Sequence, residues 1–191
     1  MPKYKIYLAS KSPRRRMLLK KLGIQFITLK PDISEKISKK NPRYYAMELA
    51  KRKVIAVEDY IQKGIIIGVD TIVVINNKIL NKPRNKTEAR RMLKLLSGTQ
   101  HNVISGIYIL LKPQNKSWIK SELTNVKFRN LSKNEIEEYI STREPYDKAG
   151  GYGIQESAAV FVEKVTGCYF NVVGLPINKF LYGLKGIVKY C

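Results

Sequence analysis

The sequence predicts an α/β protein, because segments with strand-like and helix-like patterns alternate along most of its 191 residues. The clearest strand pattern is IIIGVDTIVVI at 65–75, a continuous β-branched run typical of a strand covered on both faces. The segment KIYLA at 5–9 predicts a second, shorter buried strand. Hydrophobic residues at 44% and charged residues at 27% fit a globular chain and exclude a mostly disordered or fibrous one. We therefore expect a single domain over residues 1–191, undivided or built as two small lobes.

The first helix is expected to follow the first strand directly. Ser12 suits a helix cap, Pro13 suits a first turn, and Gly23 suits a helix end. The apolar residues between them recur at helical spacing, as Met17, Leu18 and Leu22. Three consecutive arginines occupy the first turn, namely Arg14, Arg15 and Arg16.

A second helix is predicted from Asn41-Pro42 to about Gly64. One face of this helix is formed by Ala46 and the residues three, four, seven and eleven positions after it. The residue at the seventh position is Lys53, and the others are apolar. Two interpretations of Lys53 remain open at this point. Its side chain could snorkel outward to water, or its ammonium could point into a polar cavity.

The middle of the chain predicts a hairpin, a helix and a pair of strands. In order, these are a turn at Asn76-Asn77, a short strand before Lys82-Pro83-Arg84, a helix from Asn85 or Thr87 to Gly98, and strands at 101–111 and 121–130. A polar loop, KPQNKS, is expected to join the last two strands.

The C-terminal third predicts two helices that enclose two strands. Ser132 and Glu135 form a capping box for a fourth helix, which Pro145 closes. The apolar segments AAVFVEKV at 158–165 and CYFNVV at 168–173 are interpreted as strands. A last helix is expected to begin at Pro176.

The chain is strongly basic, with 36 lysines and arginines against 15 acidic residues and a net charge of +21. Such a charge attracts phosphate, whether on nucleotides, nucleic acids or a membrane surface. Biased composition is the favoured explanation for most of the charge, because lysines occur throughout the chain and no block of five or more like charges exists.

Cysteine and histidine usage excludes several classes of site. Two cysteines, Cys168 and Cys191, form neither a disulfide framework nor a metal-ligand spacing. His101 is the single histidine, so a relay of histidines is excluded. The N-terminus lacks the apolar stretch of a signal peptide, and no apolar run is long enough to span a membrane. We expect a cytoplasmic protein without a membrane segment.

Asp70 is the first candidate for a catalytic group. It lies in the middle of the most apolar predicted strand, where an unpaired carboxylate would be costly to bury. It therefore needs a partner cation or belongs to a functional site. A hydrogen-bonded structural role is the alternative.

The segment SKSPRRR at 10–16 is a candidate phosphate-binding turn. It brings helix N–H groups, two hydroxyls and up to three guanidiniums together, and these groups all favour an anion. Arginines in a first turn also oppose the helix dipole, which is unfavourable unless an anion is bound.

The glycine-rich segment DKAGGYGIQ at 147–155 lacks the strand-to-helix context of a dinucleotide fingerprint. Its glycines could let the backbone approach a ligand, with the Gln155 amide available for the edge of a base. A purely structural turn is the alternative.

Four segments together resemble the signatures of the Maf family of nucleotide pyrophosphatases. They are LASKSPRRRMLLKKLG, GVDTIVVINNKILNKPRNKTEARRMLKLLSG, EPYDKAGGYGIQ and FNVVGLP, and they occur in order over nearly the whole chain. The resemblance implies a mixed-sheet, inosine-triphosphatase-like α/β fold with two lobes flanking a cleft. It also implies hydrolysis of a nucleoside triphosphate to the monophosphate and pyrophosphate with a divalent metal, Mg or Mn.

The resemblance assigns a role to individual residues by their place in these motifs. Asp70 matches the catalytic base. Positions that set base specificity are Arg14, Thr71 and Gln155, and positions that contact phosphates are Ser10, Arg15, Lys53 and Lys82. Asp70 and Glu35 match the metal-binding acids. Two positions depart from the family pattern: Glu156 stands where a glycine is usual, and Cys168 where a serine is.

The form of the DKAGGYGIQ motif resembles the branch of the family that acts on dTTP and UTP. A nucleoside triphosphate is thus the expected substrate, and binding to nucleic acid is not expected. A homodimer is implied by the resemblance alone. Two alternatives stay open. One is a 7-methyl-GTP pyrophosphatase of the same family, and the other is a basic nucleic-acid-binding regulator of septum formation.

Overall fold

The structure, a computed structural model, describes residues 4–34 and 41–189. Its described helices are α1 (Pro13–Lys21), α2 (Pro42–Glu58), α3 (Lys86–Leu96), α4 (Lys133–Ser141), α5 (Tyr169–Val173) and α6 (Ile177–Val188). Its described strands are β1 (Ile6–Ala9), β2 (Ile27–Leu29), β3 (Gly64–Ile75), β4 (Lys78–Leu80), β5 (Gln100–Lys112), β6 (Lys116–Phe128) and β7 (Val162–Thr166).

The strands form a mixed sheet, which confirms the predicted α/β class. The hydrogen-bonded order is β2-β1-β3-β5-β6-β7, and β4 pairs with β3 outside this path. The β1 strand is parallel to both β2 and β3, whereas the β3–β4 and β6–β7 pairs are antiparallel. None of the helices in the described part of the chain is long and apolar enough to cross a membrane.

The chain divides into two compact units. Unit 1 comprises residues 1–70, 105–122 and 174–191, and unit 2 comprises residues 71–104 and 123–173. The three long strands β3, β5 and β6 contribute residues to both units.

In unit 1, helix α2 packs directly on the sheet through two glycines. A Cβ atom at Gly68 would lie 2.1 Å from the carbonyl oxygen of Ala50, and one at Gly106 would lie 2.2 Å from that of Ala46. Any side chain at either glycine would push the helix away from the strands. This close approach turns one face of α2 toward the sheet, and Lys53 lies on that face about one turn after Ala50.

Unit 2 has its own core, in which aromatic rings meet edge to face. The ring of Phe128 lies 4.7 Å from that of Tyr152 and 5.1 Å from that of His101, measured between centroids. Because Tyr152 belongs to the glycine-rich segment, its burial anchors that segment in the core of the unit.

Most predicted elements are confirmed, including the caps of α1, α3 and α4. Ser12, Asn85 and Ser132 each accept a hydrogen bond from the first turn of the helix that follows, and Ser132 forms the full capping box with Glu135. Helix α2 ends at Glu58 rather than near Gly64, because Gly64 begins β3. The strand β6 begins at Lys116, so the polar loop is shorter than predicted.

Two strand predictions in the C-terminal third are wrong. The segment CYFNVV forms helix α5, because the helical turn buries Asn171, whose side-chain amide donates to the carbonyl of Val103 at 2.9 Å and to the hydroxyl of Thr124 at 3.0 Å. Within AAVFVEKV only the second half is strand, since residues Ser157–Phe161 form a 3-10 helix. The strand β2 was not predicted, because its three residues are only partly covered.

Candidate active site

The turn that connects β1 to α1 is held by one buried arginine. The Arg15 guanidinium donates from Nη1 to the hydroxyl of Ser10 at 3.1 Å and from Nε to the carbonyl oxygen of Gly174 at 2.9 Å. The Ser10 hydroxyl also accepts the backbone N–H of Ser12 at 3.2 Å. Arg15 thus fixes the hydroxyl of Ser10 and ties the turn to the chain just before α6, while Arg14 is half-buried on α1.

A second pair of predicted site residues meets in the same unit. The Lys53 ammonium of α2 donates to the Asp70 carboxylate of β3, and it lies 3.4 Å from the carbonyl oxygen of Val69. The two side chains are only 12% and 10% exposed. Lys53 therefore does not snorkel to bulk water, and Asp70 has the partner cation that its burial requires.

The packing of α2 explains why these two residues meet. Gly68 and Asp70 are two residues apart on β3 and so lie on one face of the strand. Ala50 and Lys53 are three residues apart on α2 and lie on one face of the helix. The contact of Gly68 with Ala50 brings these faces together, and it leaves the ammonium of Lys53 beside the carboxylate of Asp70.

Three further predicted site residues lie in unit 2. Thr71 follows Asp70 on β3 and is half-buried, while Lys82 and Gln155 are exposed. The segment that carries Lys82 contacts the glycine-rich segment: the backbone N–H of Gly150 donates to the carbonyl of Asn81 at 3.2 Å. A Cβ atom at Gly151 would lie 3.4 Å from Pro83.

The glycines of residues 147–155 serve packing as well as backbone conformation. Gly150 and Gly151 have φ angles of 70° and 74°, which favour glycine, and a Cβ atom at Gly150 would lie 2.9 Å from the side chain of Val73. This supports the structural interpretation for these two glycines, while Gln155 remains exposed at the end of the segment.

The sequence-based site missed Lys148, which is buried in the same segment. Its ammonium forms ion pairs with Asp147 at 2.5 Å and with Glu156 at 2.7 Å. The carboxylate of Glu156, one of the two departures from the family pattern, is therefore balanced by a lysine. A lysine in a glycine-rich segment gave no signal of burial in the sequence.

The predicted metal ligands are described only in part. Asp70 is placed as above, and Glu35 lies outside the described residues. Within residues 4–34 and 41–189, no three His, Cys, Asp or Glu side chains are grouped so that they could hold a metal ion. Mg²⁺ is commonly held by one or two carboxylates together with substrate phosphates, a set to which Asp70 is suited.

Comparison with known proteins identifies the family. The sequence model described as "Maf-like protein" matches residues 5–187. A relative from Thermosipho africanus, named dTTP/UTP pyrophosphatase, is 51% identical over 175 residues, with 92% of this chain and 89% of the relative covered. Relatives with the same name from Carboxydothermus hydrogenoformans and Clostridium novyi are 46% and 47% identical, covering 95% of this chain and 97% and 96% of their own. The chain belongs to the Maf family.

Proposed function

We propose that the protein is a nucleoside triphosphate pyrophosphatase that hydrolyses dTTP and UTP to the monophosphate and pyrophosphate. The pair formed by Lys53 and Asp70 is the observation that carries this proposal. It places an acid and a base together in a protected position, as acid–base chemistry on a phosphate requires. The names of the relatives supply the choice of nucleotide.

The proposed reaction is the attack of water on the α-phosphorus. A bond forms between the water oxygen and phosphorus, and the bond from phosphorus to the α–β bridging oxygen breaks. Asp70 accepts the proton that the water loses, and the bridging oxygen leaves with pyrophosphate. Lys53, next to Asp70, offsets the negative charge that gathers on the phosphate oxygens.

The β1–α1 turn is the proposed site for the phosphate chain. Ser10 and Arg15 are held there by hydrogen bonds, so little rearrangement is needed when the anion binds. The backbone N–H groups at the start of α1 add further donors for an anion. We assign Lys82 to the phosphates as well, and Arg14, Thr71 and Gln155 to the choice of base.

We propose that Asp70, together with Glu35, holds a divalent cation, Mg²⁺ or Mn²⁺. When bound, such an ion polarises phosphate oxygens and lowers the pKa of a bound water. We further propose that the enzyme works in the cytoplasm and forms a homodimer.

A panel of nucleotides tests the function. Pyrophosphate release is measured with UTP, dTTP, CTP, ATP, GTP and 7-methyl-GTP at equal concentrations with Mg²⁺ or Mn²⁺. We expect UTP and dTTP to be hydrolysed fastest, with UMP and dTMP as the other products. In water enriched in oxygen-18, the label should enter the monophosphate. Preference for 7-methyl-GTP would instead assign the protein to the 7-methyl-GTP branch of the family. DNA binding without any turnover would favour the nucleic-acid-binding alternative.

A further inference from the structure

The buried lysine of the glycine-rich segment has all of its donors used. The Lys148 ammonium lies 2.6 Å from the carbonyl oxygen of Glu144, 2.5 Å from Oδ1 of Asp147 and 2.7 Å from Oε2 of Glu156. An ammonium has three N–H donors, and three acceptors surround this one. The side chain is only 6% exposed. The ammonium of Lys148 therefore binds groups of the protein itself rather than water or a ligand at the surface.

These acceptors come from both ends of the segment that carries Gln155. Glu144 and Asp147 precede the glycines, whereas Glu156 directly follows Gln155. A second link joins the same two ends, because the carboxylate of Glu144 accepts the N–H of Ser157 at 3.2 Å and its hydroxyl at 2.8 Å. The backbone on the C-terminal side of Gln155 is therefore held at two adjacent residues.

Gly153 shows that the path of the lysine side chain excludes a larger residue. A Cβ atom at Gly153 would lie 2.6 Å from Cε and 2.8 Å from Cδ of Lys148. The side chain thus passes directly over the backbone two residues before Gln155. Lys148 contacts the segment on one side of Gln155 and pairs with Glu156 on the other.

Reading a pyrimidine with an amide requires a fixed amide. Thymine and uracil present a carbonyl oxygen where cytosine presents an amino group. A side-chain amide has one face that donates and one that accepts, and rotation exchanges them. An amide on a loose loop would therefore bind cytosine as well as uracil and thymine. An amide on a held backbone could favour uracil and thymine.

We infer that Lys148 is a positioning residue for base selection, which holds the backbone at Gln155 by joining Glu156 to Glu144 and Asp147. This inference rests on the proposed function and on the assignment of Gln155 to the base. A merely structural lysine would affect all nucleotides equally, whereas a positioning residue affects the ratio between them.

The test compares Lys148→Met with Gln155→Ala and with a control. Lys164→Met is the control, because it removes an exposed lysine from β7 of the same unit. For each protein, kcat and KM are measured by pyrophosphate release from UTP and CTP, and thermal unfolding is recorded. We expect Lys148→Met to lower the ratio of kcat/KM for UTP to that for CTP by roughly tenfold, mainly through the KM for UTP. The control should leave the ratio unchanged.

The double variant shows whether Lys148 acts through Gln155. We expect Lys148→Met to lower the ratio no further once Gln155 is alanine, because the amide that it positions is gone. Glu156→Gln provides a milder version of the test, since it keeps the ammonium and two of its acceptors. It decides the question if Lys148→Met does not fold.

Equal losses for UTP and CTP in the folded variants would overturn the inference while leaving the proposed function intact. Additive effects of Lys148→Met and Gln155→Ala on the ratio would overturn it as well. If the unchanged protein releases no pyrophosphate from any nucleotide, the proposed function fails first, and the inference fails with it.

Discussion

Lys53 of α2 and Asp70 of β3 form an ion pair that is almost closed to water. The pair exists because Gly68 lets the helix approach the strand until the backbone of Ala50 is in contact with it. Helix packing and the chemistry of the site are thus linked through four neighbouring residues, two on α2 and two on β3.

The close approach of α2 to β3 predicts that Gly68→Ala is strongly destabilising. Its Cβ atom would lie 2.1 Å from a carbonyl oxygen of the helix, so the backbone must move, and we expect a loss of at least about 3 kcal/mol in the free energy of unfolding. Gly186→Ala in α6 is the matched control, because nothing lies within 4 Å of the added atom. It should stabilise the protein by roughly 0.5–1 kcal/mol. Denaturant titration measures both, and equal effects would show that contact with α2 is unimportant.

The two arginines at the start of α1 should differ in their effects. Arg15→Ala removes the hydrogen bonds to Ser10 and Gly174, so kcat/KM should fall for every triphosphate and stability should drop by about 2 kcal/mol. Arg14→Ala should instead change which base is preferred. Steady-state kinetics with UTP, dTTP, CTP and GTP distinguishes the two. Uniform losses for both variants would mean that Arg14 does not read the base.

The buried His101 predicts a loss of stability in mild acid. Burial lowers its pKa to about 4, below its ordinary value near 6.5. Between these values the unfolded chain binds a proton that the folded chain does not, so stability is full above pH 6.5 and falls as the pH decreases. The contribution of His101 to the free energy of unfolding should fall by about 2 kcal/mol between pH 7.5 and pH 5.

Urea titrations at the two pH values check this with His101→Gln, which keeps a polar partner for the hydroxyl of Tyr152. The variant should lose less stability on acidification than the unchanged protein does. An identical loss in both proteins would assign the effect to other groups.

Much of the fold could be predicted from the sequence, because its long elements have clear periodicity. The buried run of β3 already indicated that Asp70 lies inside the sheet, and the apolar face of α2 already included Lys53. The segment CYFNVV could not be assigned correctly, because its aromatic and β-branched residues favour a strand while the hydrogen bonds of Asn171 to distant residues select a helix.

The candidate site was predicted less completely than the fold. The sequence indicated that Asp70 needs a cation but left the fate of Lys53 open, and the packing through Gly68 decides it. Lys148 was missed because its burial depends on a fold of the segment that brings Glu156, near its end, into an ion pair with Lys148, near its start. Glycine content marks such a segment as a turn, but it does not show which side chain the turn encloses.

We propose Asp70 as the base of a pyrophosphatase, and kcat/KM for UTP in Asp70→Asn tests this role most directly. The control is Glu122→Gln, which removes the carboxylate of another ion pair in the same unit, formed with Lys179 at 2.7 Å. Asp70→Asn keeps the shape of the side chain but cannot accept the proton, so we expect a loss of at least about a hundredfold. Glu122→Gln should stay within about twofold of the unchanged protein. Turnover retained by folded Asp70→Asn, or an equal loss in the two variants, would contradict the account.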